Sequence, residues 1–320
     1  MSDSLRIVFM GTPEFAVASL DALVHSNHKV VAVVTAPDRP ASRGLKLQQS
    51  AVKEYAVKNN LLVLQPEKLK EETFINQLKE LNADLFVVVA FRMLPEVVWK
   101  MPPKGTINLH ASLLPYYRGA APINWAIING ERVTGVTTFF INEAIDKGNI
   151  LFFKGVPILD SDDAGSLHNT LMNVGAKLLV QTIEYVAGGK SLSVPQDFPE
   201  SELKLAPKIF KEDCKIDWNK PARDVFNFIR GLSPYPAAWT VLQNGEGKKL
   251  TLKIYESKVA SVTGLLPGER GIVDGIHIYI GCSDAAIEVT KLQLEGRKTM
   301  PVADFLRGFR LEEEGWNIVI

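Results

Sequence analysis

The chain has 320 residues, more than one hydrophobic core usually organises, so two domains are expected at roughly 150 residues each. A composition of 46% hydrophobic and 22% charged residues is that of a globular protein and excludes a disordered one. Lys plus Arg and Asp plus Glu number 36 each, so no molecule-wide field favours a polyanion and any nucleic-acid contact must come from a local basic patch.

Cys214 and Cys282 are too few for a disulfide framework and lack the paired spacing of a zinc site. The N-terminus has no basic region followed by a long apolar stretch, and the run Leu85 to Phe91 is too short to span a bilayer. A cytoplasmic protein with no membrane partner is expected.

In chain order, Leu5 to Met10, Lys29 to Val34, Leu61 to Leu64, Asp84 to Val89 and Gly105 to Leu109 are short apolar runs of the kind that form strands buried on both faces. Helical patterns at Pro13 to His25, Ser50 to Lys58, Glu67 to Leu81 and later Gly165 to Val186 complete a βαβα order. Such an order gives an α/β doubly wound sheet whose ligands bind beyond the carboxyl ends of the strands. Residues 1–188 form the first domain, and 189–207, opened by Gly188-Gly189 and rich in Pro, reads as a linker. In 208–320, Pro221 to Arg230 has a helical pattern. Trp239 to Leu242, Leu250 to Ser257, Gly271 to Asp274, Gly275 to Gly281 and Ala286 to Leu294 are short strands between Gly-rich turns, the pattern of a small OB-like β-barrel.

Gly11-Thr12-Pro13-Glu14 follows the first strand but lacks both the three-glycine dinucleotide fingerprint and the P-loop lysine, so a turn glycine before a helix accounts for it. The informative segment is Ile107 to Pro122. Asn108 and His110 stand two apart at a strand's carboxyl end, so their side chains share a face. Beyond a hairpin-like region, Asp146 lies in a turn able to return to the same crevice. Singly, an Asn caps turns, a His satisfies a local hydrogen bond and an Asp before Lys-Gly is a plain turn residue. Together, an amide, an imidazole and a carboxylate make an acyl-transfer set that needs no protein nucleophile.

The string Asn108-Leu109-His110-Ala111-Ser112-Leu113-Leu114-Pro115, followed by Tyr117-Arg118-Gly119-Ala120-Ala121-Pro122, closely resembles the signature of folate-dependent formyltransferases. Phe9 to Ala16 and Ile229 to Pro236 resemble the opening and a C-terminal segment of the methionyl-tRNA formyltransferases of that family. The resemblance implies a Rossmann-like N-terminal domain joined to a barrel that helps hold tRNA. It further implies catalytic roles for Asn108, His110 and Asp146, a folate-lining role for Ser112, Leu113, Leu114 and Pro115, and 10-formyltetrahydrofolate as the donor of the formyl group.

In the reaction so implied, an amine attacks the formyl carbon while Asn108 and His110 donate hydrogen bonds to the developing oxyanion. Each such donor lowers the barrier by about 3 kcal/mol. Asp146 orients His110 and assists proton movement. No metal is required.

The loop Pro37 to Leu47 carries Arg39, Arg43 and Lys46. Basic loop residues are usually just solvated, but the resemblance implies that Arg43, with Lys46 beside it, contacts the acceptor stem of methionyl-initiator tRNA. Lys204, Lys208, Lys211 and Lys215 recur at spacings of three or four and read equally as a solvated connector or a basic face. A monomer is expected. Tyr116, Arg92 and Ala237 depart from the family pattern, the last two where glycine is common. A small-amine acceptor, a hydrolase releasing formate and a non-catalytic RNA-binding protein remain as alternatives. The first is disfavoured because such enzymes resemble the N-terminal half alone, and the last because all three polar residues are present.

Overall fold

The computed structural model describes residues 4–40, 47–262, 264–273, 275–309, 311 and 315–319. Arg43 and Lys46 lie outside the described residues. Contacts divide the chain into two compact units: Met1–Gly119, Val133–Pro157 and His168–Leu205 form the first, and Ala120–Arg132, Ile158–Leu167 and Ala206–Ile320 the second.

The first unit is built on β1 (Arg6–Gly11), β2 (Lys29–Val34), the short antiparallel pair β3 (Arg39–Pro40) and β4 (Leu47–Gln48), β5 (Val63–Leu64), β6 (Leu85–Val89), β7 (Thr106–His110), β8 (Val133–Phe140) and β9 (Ile150–Pro157). The main sheet has the order β5-β2-β1-β6-β7-β8-β9. Strands β5 to β7 pair in parallel, and β8 and β9 extend the sheet antiparallel. The parallel part matches the apolar runs in the sequence: β6 is buried along its whole length, as a strand covered on both faces must be.

Helices α1 (Glu14–Val24), α2 (Ala51–Lys58), α3 (Glu72–Glu80) and α4 (Glu96–Trp99) connect these strands. Ser50 caps α2 by accepting from the Lys53 amide. On one face of the sheet Val8, Met10, Val34, Phe86 and Val88 pack with Phe74 and Leu78 of α3 and Val98 of α4. Helix α3 starts five residues later than its periodicity predicts. The Pro66 and Glu67 carbonyls accept hydrogen bonds from the Arg92 guanidinium, which ties this stretch to the loop after β6 instead of into a helix. Gly11 is explained by packing, since a Cβ there would meet Ala16 Cβ at 2.7 Å and Val89 O at 3.0 Å.

The second unit is an antiparallel, nearly closed barrel. Strands β10 (Ala238–Gln243), β11 (Lys249–Ala260), β12 (Arg270–Val273), β13 (His277–Gly281), β14 (Ala286–Leu294), β15 (Met300–Pro301) and β16 (Asn317–Val319) run in the order β12-β13-β14-β11-β10-β16, with β15 on β14. Its core joins Ile254, Ile280, Ile287 and Leu292 to Trp218, Trp316, Phe305 of α8 (Val302–Gly308) and Ile229 of α7 (Ala222–Leu232).

Helix α5 (Pro122–Ile128) and the first residues of α6 (Ala164–Ala187), although early in sequence, belong to this unit. Gly231 lets α5 approach α7, because a Cβ there would lie 2.7 Å from Ile128, and the Asn124 amide donates to the Gly231 carbonyl. The buried Arg230 donates to the carbonyls of Leu159 and Asp162. The motif Ile229 to Pro236 therefore has a packing role of its own.

Candidate active site

Strand β7 ends at the carboxyl edge of the parallel sheet and carries Asn108, half-buried, and His110, 8% exposed. Alternation along the strand puts both on one face. Among the described residues the Asn108 carboxamide has no hydrogen-bond partner, which leaves its N–H groups for a ligand.

Two neighbouring segments fix the His110 ring. Its Nε2 lies 2.9 Å from the Tyr117 carbonyl, which can only accept, so Nε2 carries a proton and Nδ1 is the nitrogen left for chemistry. Asp146 Oδ2 stands 3.9 Å from Nδ1 and accepts from the Gly119 amide at 3.0 Å. Tyr117 and Asp146 both hold left-handed backbone conformations, φ 60° and 54°, uncommon for residues with a side chain. In each case the strained residue delivers the atom facing His110, a carbonyl in one and a carboxylate in the other.

The loop after β7 is pinned from β8. Thr137, paired in register with His110, donates its hydroxyl to the Ser112 carbonyl and accepts from the Leu114 amide. Ser112 is fully buried, and its hydroxyl donates to the Tyr116 carbonyl. Leu113 packs over Gly135, where a Cβ would meet it at 2.6 Å, while Leu114 is buried and Pro115 half-buried. Ser112 to Pro115 thus form one braced loop beside Asn108 and His110. With the Ser112 hydroxyl engaged inside it, a bound molecule would meet the loop's backbone and apolar side chains.

Sequence reasoning missed two polar side chains of the site. Arg118, 7% exposed, donates from Nε and Nη2 to Gln196 Oε1 at 3.1 and 2.8 Å. Burial pushes its guanidinium down from the usual range, with the nearby Glu200 and Asp146 carboxylates opposing. Gln196 Nε2 donates to the carbonyls of Asp146 and Gly148 at 2.9 and 2.7 Å. Arg118 stood inside the signature string; Gln196 lay in the stretch read as a linker, with no local pattern to mark it.

The second unit has its own concavity of about 430 Å³. Lys208, Lys211 and Lys253 line it together with Tyr235 and Trp239, so two of the four regularly spaced lysines share one basic, aromatic-walled hollow. Lys204 falls in the first unit, where its carbonyl accepts from the Tyr117 amide.

Fold and site define an α/β enzyme whose parallel sheet presents an amide, an imidazole and a carboxylate at its carboxyl edge. The sequence matches the family described as Formyl transferase over residues 5–183 and its C-terminal domain over 208–310. It is 52% identical to the methionyl-tRNA formyltransferase of Bacteroides fragilis over 315 residues, 97% of each chain, and 50% identical to that of Flavobacterium johnsoniae over 312 residues, 98% of each. Among solved structures it resembles HypX from Aquifex aeolicus, at TM-score 0.65 and 20% identity, covering 97% of this chain and 50% of that one. It also resembles an N-formyltransferase from Helicobacter canadensis solved with folinic acid and dTDP-3-aminofucose, at TM-score 0.63 and 21% identity, covering 89% of this chain and 98% of that one. The chain belongs to the formyl transferase family, and within it to the methionyl-tRNA formyltransferases.

Proposed function

We propose that Asn108, His110 and Asp146 together carry a formyl group from 10-formyltetrahydrofolate to the free amine of methionyl-initiator tRNA, the step that supports translation initiation. The observation that carries these roles is the arrangement of His110: Nε2 committed to the Tyr117 carbonyl, Nδ1 facing Asp146 at 3.9 Å, and Asn108 two residues away on the same strand face.

As the amine attacks, its new bond to the formyl carbon forms and charge gathers on the former carbonyl oxygen. The Asn108 N–H stabilises that oxygen, a contribution of about 3 kcal/mol. The sequence suggests His110 as a second donor to that oxygen. With its Nε2 proton committed to the Tyr117 carbonyl, we instead assign it the amine's proton, taken at Nδ1, while Asp146 holds the ring in place as the imidazolium exists. The bond to the folate nitrogen then breaks, and that nitrogen receives the proton. The braced loop Ser112 to Pro115 lines the folate.

Residues 1–188 perform this chemistry in our reading, and 208–320 hold the tRNA with Arg43 and Lys46 at its acceptor stem. The basic hollow of Lys208, Lys211 and Lys253, with two aromatic faces, supports that division, because cations meet phosphates and rings stack on bases. The reading includes a cytoplasmic, monomeric enzyme.

The test mixes the purified chain and 10-formyltetrahydrofolate with methionyl-initiator tRNA, glycinamide ribonucleotide or an amino-sugar nucleotide. Formyl is expected on the tRNA; formyl on a small amine alone removes the assignment. Asn108→Ala and His110→Ala are each expected to lower kcat by about a hundredfold or more with folate binding retained. Unchanged turnover in either refutes that residue's role.

A further inference from the structure

The carboxylate of Asp146 is aimed by a turn, and the turn is held from a distance of fifty residues in sequence. Two features shape it locally: Asp146 at φ 54°, and Gly148, where a Cβ would sit 1.6 Å from the Phe140 carbonyl oxygen. Neither tells the turn where His110 is. Asp146 itself reaches the loop enclosing His110 through the Gly119 amide, and Gln196 ties the turn's backbone to the same loop with a carboxamide that spends both hydrogens and both lone pairs. Its N–H groups go to the Asp146 and Gly148 carbonyls, and its oxygen accepts twice from Arg118.

Arg118 sits between Tyr117, whose carbonyl fixes His110, and Gly119, whose amide fixes the Asp146 carboxylate. Hydrogen bonds thus link His110 through Tyr117, Arg118 and Gln196 to Asp146, and the 3.9 Å approach of the Asp146 carboxylate to His110 Nδ1 completes the circuit. From Val194 to Glu202 every residue except Gln196 is exposed. The surrounding stretch is nonetheless laid along the site. Val194 bridges Ile150, the Phe198 ring meets Tyr116 edge-on at 5.7 Å, Glu200 pairs with Lys147, and the Lys204 carbonyl accepts from the Tyr117 amide.

We propose that Gln196 is a positioning residue for formyl transfer, setting the Asp146 carboxylate against His110 through the turn 146–148. The proposal rests on the catalytic reading of Asp146 given above. Gln196 touches no reacting atom; it acts through Asp146, so its loss should slow the chemical step and leave substrate binding intact. Misplacing a catalytic group by about 1 Å lowers rates by up to roughly a hundredfold.

Gln196→Glu is the decisive variant, because it keeps the size and an acceptor for Arg118 but removes both donors to the turn. Gln196→Met, of similar shape, removes all four bonds. With the full-length chain, 10-formyltetrahydrofolate and methionyl-initiator tRNA, kcat is expected to fall about tenfold to a hundredfold in both. KM for either substrate should stay within about twofold, since binding contacts common to ground and transition states are untouched. The double variant Asp146→Asn with Gln196→Glu should be no slower than Asp146→Asn alone, as expected of residues acting as one unit. A folded Gln196→Glu or Gln196→Met chain with unchanged kcat, or losses that multiply in the double variant, overturns the inference while leaving the catalytic reading standing. An Asp146→Asn chain with full kcat overturns that reading, and the inference with it.

Discussion

Ala237 holds its backbone at φ 73°, in the left-handed region, and is buried with its amide bonded to the Leu232 carbonyl. A side chain in that region costs about 1–2 kcal/mol, which is the physical reason glycine suits the position. Part of that cost is offset by the greater freedom of glycine in the unfolded chain, worth roughly 0.4–1 kcal/mol. Ala237→Gly should therefore stabilise the barrel unit by about 0.5 kcal/mol and raise its melting temperature by on the order of a degree; a lower melting temperature in calorimetry contradicts this. At Cys282, 3% exposed, burial, then the Asp284 charge, pushes the thiol up to about 12. A thiol reagent at pH 8 should leave Cys282 unmodified in the folded chain and label it after denaturation, as mass spectrometry of the peptides can show. Labelling of the native chain at that residue would mean that the burial is not maintained. Asn108 and His110 were legible from sequence because strand alternation is local, whereas the glutamine that steadies Asp146 carries no signal outside the fold.

Short elements place the chemistry as much as the strands do. The turn 146–148 tolerates no Cβ at Gly148, so Gly148→Ala must push it away from Phe140. A loss of roughly 1–3 kcal/mol in stability is expected, with a fall in kcat as Asp146 moves. Urea titration and steady-state kinetics measure the two, and a variant that keeps both shows that the backbone can yield there freely.

Between β2 and α2, Asp38 accepts hydrogen bonds from Lys53 and then Gln65, which hold its carboxyl below the usual range. The folded value lies beneath the unfolded one of about 3.9, so this contribution is complete above that pH and is lost as pH falls through the folded value. Asp38→Asn should consequently flatten the acid-side decline in stability below about pH 4, and an identical decline in both chains counts against it. The late start of α3 shows an element misjudged by periodicity alone: hydrogen bonds from Arg92, distant in sequence, took the Pro66 and Glu67 carbonyls that a helix would have used.

Over the whole molecule, the two compact units do not follow the chain's order. Ala120–Arg132 and Ile158–Leu167 group with the barrel, and residues up to Leu205 group with the α/β sheet. Since Arg43 is read as a contact of the acceptor stem, Arg43→Ala should raise KM for the tRNA several-fold and leave KM for the folate unchanged; an equal rise in both would sink that role. A single monomeric species is expected by light scattering at micromolar concentration, and a dimer mass corrects the proposal.

By itself the sequence determined the class of sheet, the barrel and the face shared by Asn108 and His110. Each depends on patterns of two to four residues, and the apolar runs can satisfy their backbone and bury their side chains in few other ways. Only the tertiary structure decided which segments join which unit, that Nδ1 rather than Nε2 of His110 faces Asp146, and that Gln196 ties the Asp146 turn to the loop around His110. Those depend on contacts between residues tens of positions apart, where hydrogen-bond geometry, not local pattern, selects the partner.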